Sequence, residues 1–103
     1  MNEPLPATIT KLAGALIREA EAWWRTNRAA APNAIREELE RAFPIIAAQP
    51  QIGSRAANVK LQGVRRIHLP RVTYDLYYHV LESPLRLEIV ALWHSRRGKG
   101  PPI

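Results

Sequence analysis

The sequence predicts an α+β fold: a two-helix hairpin packed on a small, mainly antiparallel sheet of three to four strands, in the order β-α-α-β-β-β. Three observations carry this. Apolar residues recur at helical spacing through the first half, the period changes to two in the second, and Pro or Gly separates the periodic stretches. At 103 residues the chain is read as one domain, 1–103, with a single modest core.

"PATIT" (Pro6 to Thr10) is short and β-prone and is read as an N-terminal strand. From Lys11 to about Arg28, Leu12, Leu16, Ala20 and Trp23 form one apolar row, with Ala13, Ile17 and Trp24 beside it, which is an amphipathic helix with a wide stripe. Pro32 breaks the chain, and Asn33 is placed to cap a second helix whose Ile35, Leu39, Ala42 and Ile46 share a face. Glu37 and Glu38 suit its first turn, and Glu37 to Arg41 is a favourable i, i+4 pair. Pro44 removes a backbone donor, so a kink or a restart is expected there.

"QPQIGSR" ends the helical half, and three strands follow: Val64 to Leu69, Tyr74 to Glu82 and Leu85 to His94, punctuated by Pro70 and Ser83-Pro84. The simplest arrangement is an antiparallel meander. Tyr74, Leu76, Tyr78 and Val80 share one face of the middle strand, and Asp75, Tyr77, His79 and Leu81 the other. In the last strand Leu85, Leu87, Ile89, Ala91 and Trp93 line one face, while the other turns apolar only at Val90 and Leu92. That strand is expected inside the sheet, with the helices on one face and the other face free. Residues 98–103 ("GKGPPI") read as a flexible tail.

Composition narrows the function. There is no cysteine, so no disulfide framework and no thiolate metal site. No apolar run is long enough to cross a membrane and the N-terminus lacks a signal-peptide pattern, so a soluble cytoplasmic protein is expected. The formal net charge is +6. Residues 1–57 hold seven Lys/Arg against six Asp/Glu, whereas residues 58–103 hold eight against three. An excess concentrated in the second half suits phosphates or an acidic protein as partner. The five glycines never form a phosphate-cradling loop, which excludes P-loop and dinucleotide chemistry. His68, His79 and His94 fall one on each strand without a ligand-spaced companion, so no metal and no other cofactor is expected.

Two residue sets carry candidate chemistry. Metal-free ribonucleolysis needs a base and cations for the charged phosphorus centre, which His79 or His94 with Arg65 and Arg97 would supply. Tyr77, on the same strand face as His79, is placed to stack on a base or to meet a partner. The other set is "LWHSRRGKG" (Leu92 to Gly100), where an apolar strand ends in His94, Arg96, Arg97 and Lys99 with no carboxylate among them. Arg96 and Arg97 suit bidentate contacts to phosphate or carboxylate, and a solvated chain end is the plain alternative.

Taken in order, "EAEAWWRTNR", "APNAIREELERAF", "AAQPQIGSR", "GVRRIHLPRVTYDLYYHV" and "LEIVALWHSRRGKGP" resemble the RelE/ParE superfamily of type II toxin-antitoxin toxins, closer to its ParE-like branch, over about residues 8 to 102. The resemblance implies a toxin, associated with plasmid stabilisation, that a cognate antitoxin encoded beside it neutralises in a hetero-oligomer. That antitoxin is expected to bind DNA and to wrap the toxin with an acidic or amphipathic segment. One branch of the superfamily cleaves mRNA on the ribosome, and the ParE branch poisons DNA gyrase. RNA-cleaving members carry an arginine where this chain has Asp75, and a tyrosine near the C-terminus that is missing here. A carboxylate at that position repels the charge a nuclease must stabilise, which favours gyrase inhibition over a ribosome-dependent mRNA endonuclease. The implied contacts to target or antitoxin are Arg65, Arg66, Arg71, Tyr77, His94, Arg96, Arg97 and Lys99.

Overall fold

The computed structural model describes residues 3–103. The chain runs β1 (Ala7–Ile9), α1 (Lys11–Asn27), α2 (Ala34–Ala48), β2 (Ser54–Arg55), β3 (Arg65–Leu69), β4 (Tyr74–Leu81) and β5 (Arg86–His94). All strands join one sheet in the order β1-β5-β4-β3-β2. The α+β expectation holds, with β3, β4 and β5 as the meander and β1 parallel to β5 at the margin. The fifth strand is β2, whose Ser54 and Arg55 pair with Arg66 and Arg65. Two residues are too few to show a period in the sequence. Among the described residues no helix is long and apolar enough to cross a membrane.

Thr10 starts α1: its Oγ1 accepts the Ala13 N–H at 3.1 Å. Ala13 and Ala20 are buried against the sheet, with Ile17 and Trp24 packed beside them. Small residues at those two positions let the helix backbone lie close to β5. Of the row Leu12, Leu16, Ala20 and Trp23, Ala20 is buried and Leu16 half-buried, while Leu12 and Trp23 at its two ends are exposed.

In α2 the buried face is the predicted one, Ile35, Leu39, Ala42 and Ile46, joined by Ala34 and Glu38. Asn33 holds the capping position without a side-chain capping bond. The helix runs on through Pro44, because the carbonyl that loses its donor belongs to Glu40 on the exposed side. The expected Glu37–Arg41 pair gives way to another arrangement. Arg41 turns to Glu38 at 3.6 Å, and Glu37 takes Arg71 at 2.8 Å. Glu38 is only 5% exposed, and Arg71 also reaches it at 3.5 Å. A carboxylate that buried needs cations, so the helix cation goes to it rather than to solvated Glu37.

Between β4 and β5 the register shifts. Tyr77 pairs with Ala91 and Tyr78 with Ile89, which leaves Val90 as an extra residue. Before it, Leu87 and Ile89 face the helices; after it Leu92 does so, and Ala91 and Trp93 join the opposite side. The single-face reading of Leu85, Leu87, Ile89, Ala91 and Trp93 is corrected accordingly, and Leu85 lies outside the strand, exposed. Strict alternation cannot survive an inserted residue.

Nor is the opposite face of the sheet free. Val64, Tyr77, Val90 and Ala91 form a second cluster there, to which α1 contributes Leu16 and which Ala56, Val59, Trp93 and Ile103 complete. The tail read as flexible folds back onto it. The Lys60 N–H donates to the Ile103 carbonyl at 2.9 Å, and Pro101 is buried. Gly100 lies so close to Asn58 that a Cβ would collide with its carbonyl oxygen.

Tyr77 and Tyr78 point to opposite faces, and each hydroxyl anchors a loop. Tyr77 accepts from Asn58 Nδ2 at 2.9 Å, and Arg66 donates to Asn58 Oδ1 at 3.2 Å. Tyr78 accepts the Gly53 N–H at 2.9 Å and donates to the Pro50 carbonyl at 2.8 Å, while Arg65 donates to the Gly53 carbonyl at 2.7 Å. Tyr78→Phe leaves the Gly53 and Pro50 groups without their partner, and urea unfolding is expected to show a loss of about 1–3 kcal/mol. Burial pushes the Tyr78 hydroxyl above its ordinary value of 10.0, opposed by the Gly53 bond and by Arg65. A raised folded value means that this contribution is intact below the unfolded pKa, about 10, and is lost as pH rises through the folded pKa. Stability measured across that alkaline range is expected to fall more steeply in the wild type than in Tyr78→Phe.

Candidate functional site

The last turn of α1 presents two adjacent tryptophans. Consecutive helix positions splay their side chains, and the Trp23 and Trp24 rings lie 6.0 Å apart at 70°. Arg28, just past the helix end, places its guanidinium 5.1 Å from the Trp23 ring and 5.9 Å from the Trp24 ring. Trp23 is 45% exposed. Trp24 Nε1 is buried and is without a hydrogen-bond partner in the described structure.

Opposite stand the β3–β4 turn and the end of β5. Thr73 has φ 58°, a left-handed conformation that a β-branched residue rarely adopts. Its carbonyl accepts the Ser95 N–H at 2.9 Å, which ties the turn to the chain leaving β5. Next to it the Tyr74 and His94 rings meet edge to face at 5.2 Å. The two walls enclose a cleft of about 490 Å³, bordered also by Glu19, Arg71 and Arg97.

His94 is fully engaged. Its Nδ1 accepts the Arg96 N–H at 3.2 Å, and Nε2 lies 3.3 Å from Thr73 Oγ1. These bonds assign the Nε2–H tautomer, donating to Thr73, whose hydroxyl donates in turn to the Val72 carbonyl at 2.6 Å. Neither ring nitrogen offers a free lone pair to a substrate proton. Beyond it Arg97 stacks on Trp93, 4.0 Å from the ring centroid, and its Nη2 lies 4.0 Å from a Glu19 oxygen. The Trp93 indole N–H donates to the Lys99 carbonyl at 2.8 Å, closing the 94–99 loop beneath the guanidinium. Arg97 also borders a second hollow of about 910 Å³ between residues 57–60 and the tail. In the cleft, burial raises the pKa of the Tyr74 hydroxyl while Arg97 lowers it and Glu19 raises it.

The other predicted site residues lie elsewhere. Arg65 and Arg66 hold loops, Arg71 bridges to α2, and Tyr77 is 1% exposed beneath Asn58, where it has no face to offer a base. His79 pairs with Glu88 at 2.7 Å. Glu88 precedes His94 by six positions on β5, so His79 and His94 are separated by roughly 20 Å of strand. Arg65 pairs with Tyr78, beside His79, whereas Arg97 follows His94: the four residues of the candidate nuclease set sit at two ends of the sheet. Asp75 is not a bare carboxylate. His68 Nδ1 lies 2.8 Å from its Oδ1 and Ser95 Oγ donates to the same oxygen at 3.2 Å. Arg96 and Lys99 are exposed, without a salt bridge among the described residues. The sequence reading missed Glu19, Trp23, Trp24, Arg28, Thr73 and Tyr74 as neighbours. The signal available was the "WWRTNR" doublet, whose second ring completes the core and leaves the first outside. No group of three or more His, Cys, Asp or Glu among the described residues is placed to hold a metal ion.

The family model for the ParE toxin of the type II toxin-antitoxin system parDE matches residues 8–98. A chain of the chromosomal ParDE toxin-antitoxin system from P. aeruginosa is similar in structure, with a TM-score of 0.69 and 17% sequence identity, over 87% of this chain and 95% of that one. The isolated E. coli RelE toxin is similar with a TM-score of 0.59 and 16% identity, over 91% of this chain and 87% of that one. At those identities the likeness concerns the fold. No curated protein matches the sequence.

The Trp93 hydrogen bond gives a direct test of the loop that carries Arg97. Trp93→Phe keeps an aromatic ring under the guanidinium and removes the bond to Lys99. Hydrogen exchange at the Lys60 amide, which the tail covers, is expected to accelerate by about five- to tenfold.

Proposed function

The chain belongs to the ParE toxin family of type II toxin-antitoxin systems, with an antitoxin as its partner, and from that premise we propose that it arrests growth by binding and inhibiting DNA gyrase. The contact surface is the end of β5 and the loop after it, with Arg96, Arg97 and Lys99 as its cations. The observation that carries this reading is the division of the candidate nuclease residues between two ends of the sheet, together with the engagement of both His94 nitrogens. A general base must reach the proton it abstracts, and a cation must stand beside the charge it stabilises. A binding surface has neither requirement. Arg97 stacked on Trp93 suits it, since part of its ordering cost is already met by the fold. In the cytoplasm the antitoxin masks this surface in a hetero-oligomer.

The experiment is plasmid supercoiling by gyrase in the presence of the purified protein. Inhibition with accumulation of cleaved DNA is expected at micromolar protein, and Arg97→Ala is expected to raise the concentration required by about tenfold or more, the effect of losing an interface hot spot. Absence of inhibition combined with ribosome-dependent mRNA cleavage would transfer the chain to the nuclease branch.

A further inference from the structure

We propose that the cleft between the end of α1 and the end of β5 binds single-stranded nucleic acid, stacking one base on Trp23 and holding a neighbouring phosphate on Arg97. This site does not depend on which cellular target the toxin has. Four rings, those of Trp23, Trp24, Tyr74 and His94, border one hollow of about 490 Å³, within the range of sites that take a small ligand. Two guanidiniums stand at its margins without a close carboxylate. Arg28 lies over the tryptophans, and the contact of Arg97 with Glu19 is a 4.0 Å pair between well-exposed side chains. Planar aromatic faces beside cations are the combination that unpaired bases and their phosphates use.

Further observations favour a nucleic acid over an acidic peptide. A peptide carboxylate would use Arg97 and leave the exposed Trp23 ring without a planar counterpart, whereas a nucleotide uses both. Glu19 is the one carboxylate on the lining. Its weak hold on Arg97 sets the affinity without blocking the site, because an exposed pair at that distance is readily exchanged for a phosphate.

The test is fluorescence anisotropy of labelled oligodeoxyuridylate and oligouridylate, which differ only in the sugar, each about 12 nucleotides long, with the full chain at low salt. Saturable binding that weakens steeply with added salt is expected. Trp23→Ala and Arg97→Ala are each expected to weaken it about tenfold or more, and Glu19→Gln to tighten it about two- to fivefold. All three side chains are exposed, so the substitutions leave the core intact. Binding of both oligonucleotides assigns recognition to base and phosphate alone, and binding of only one adds the sugar. No saturable binding at about 100 μM protein, an affinity below even non-specific nucleic-acid binding, would overturn the proposal. So would affinity that neither Trp23→Ala nor Arg97→Ala changes, or binding of polyglutamate in place of both oligonucleotides. These outcomes are separate from the gyrase assay, which the wild type passes or fails regardless.

Discussion

The extra residue at Val90 divides β5 into two halves of opposite facing, and the arrangement of the functional end follows from it. Without the bulge Trp93 would point into the helix-side core. With it, the indole lies on the other face, holds the Lys99 carbonyl and becomes the platform for Arg97. The inserted residue puts Val90 and Ala91 together in one core, opposite Leu87, Ile89 and Leu92 in the other. A strand buried on both faces reads as a continuous apolar run, which is how "LEIVALW" reads.

Around that strand the polar groups divide into fasteners and surfaces. Arg65, Arg66, Arg71, Tyr77 and Tyr78 all spend their donors or acceptors on the chain itself, pinning the two loops and α2. Few cations of the basic second half remain uncommitted, and Arg96, Arg97 and Lys99 lie together after β5. The net charge of +6 is a property of the whole chain, but its accessible part is concentrated at one end of the sheet.

Much of the architecture was legible because it rests on periodicity. Helical spacing from Leu12 to Trp24 and from Ile35 to Ile46 and alternation in "YDLYYHVL" correspond to α1, α2 and β4. What was not legible depends on contacts between distant residues. A bulge is visible only when the partner strand's register is known, and the docking of 98–103 rests on Asn58, Lys60 and Trp93, which no local pattern connects. The exposure of Leu12 and Trp23 at the ends of their row was likewise settled by the close approach of Ala13 and Ala20 to the sheet. For the candidate site, Arg97 and His94 stood out as a cationic chain end. Their neighbours Trp23 and Trp24 did not, since tryptophans in an amphipathic helix look like core until one of them is found outside.

Both marginal strands are very short, three residues in β1 and two in β2, and Pro70 follows close on the end of β3. A sheet grows into aggregates through long, flat edges whose free N–H and C=O groups accept a strand from another copy. Here those templates are brief and interrupted. At these two margins a second copy meets only two or three residues of strand to pair with.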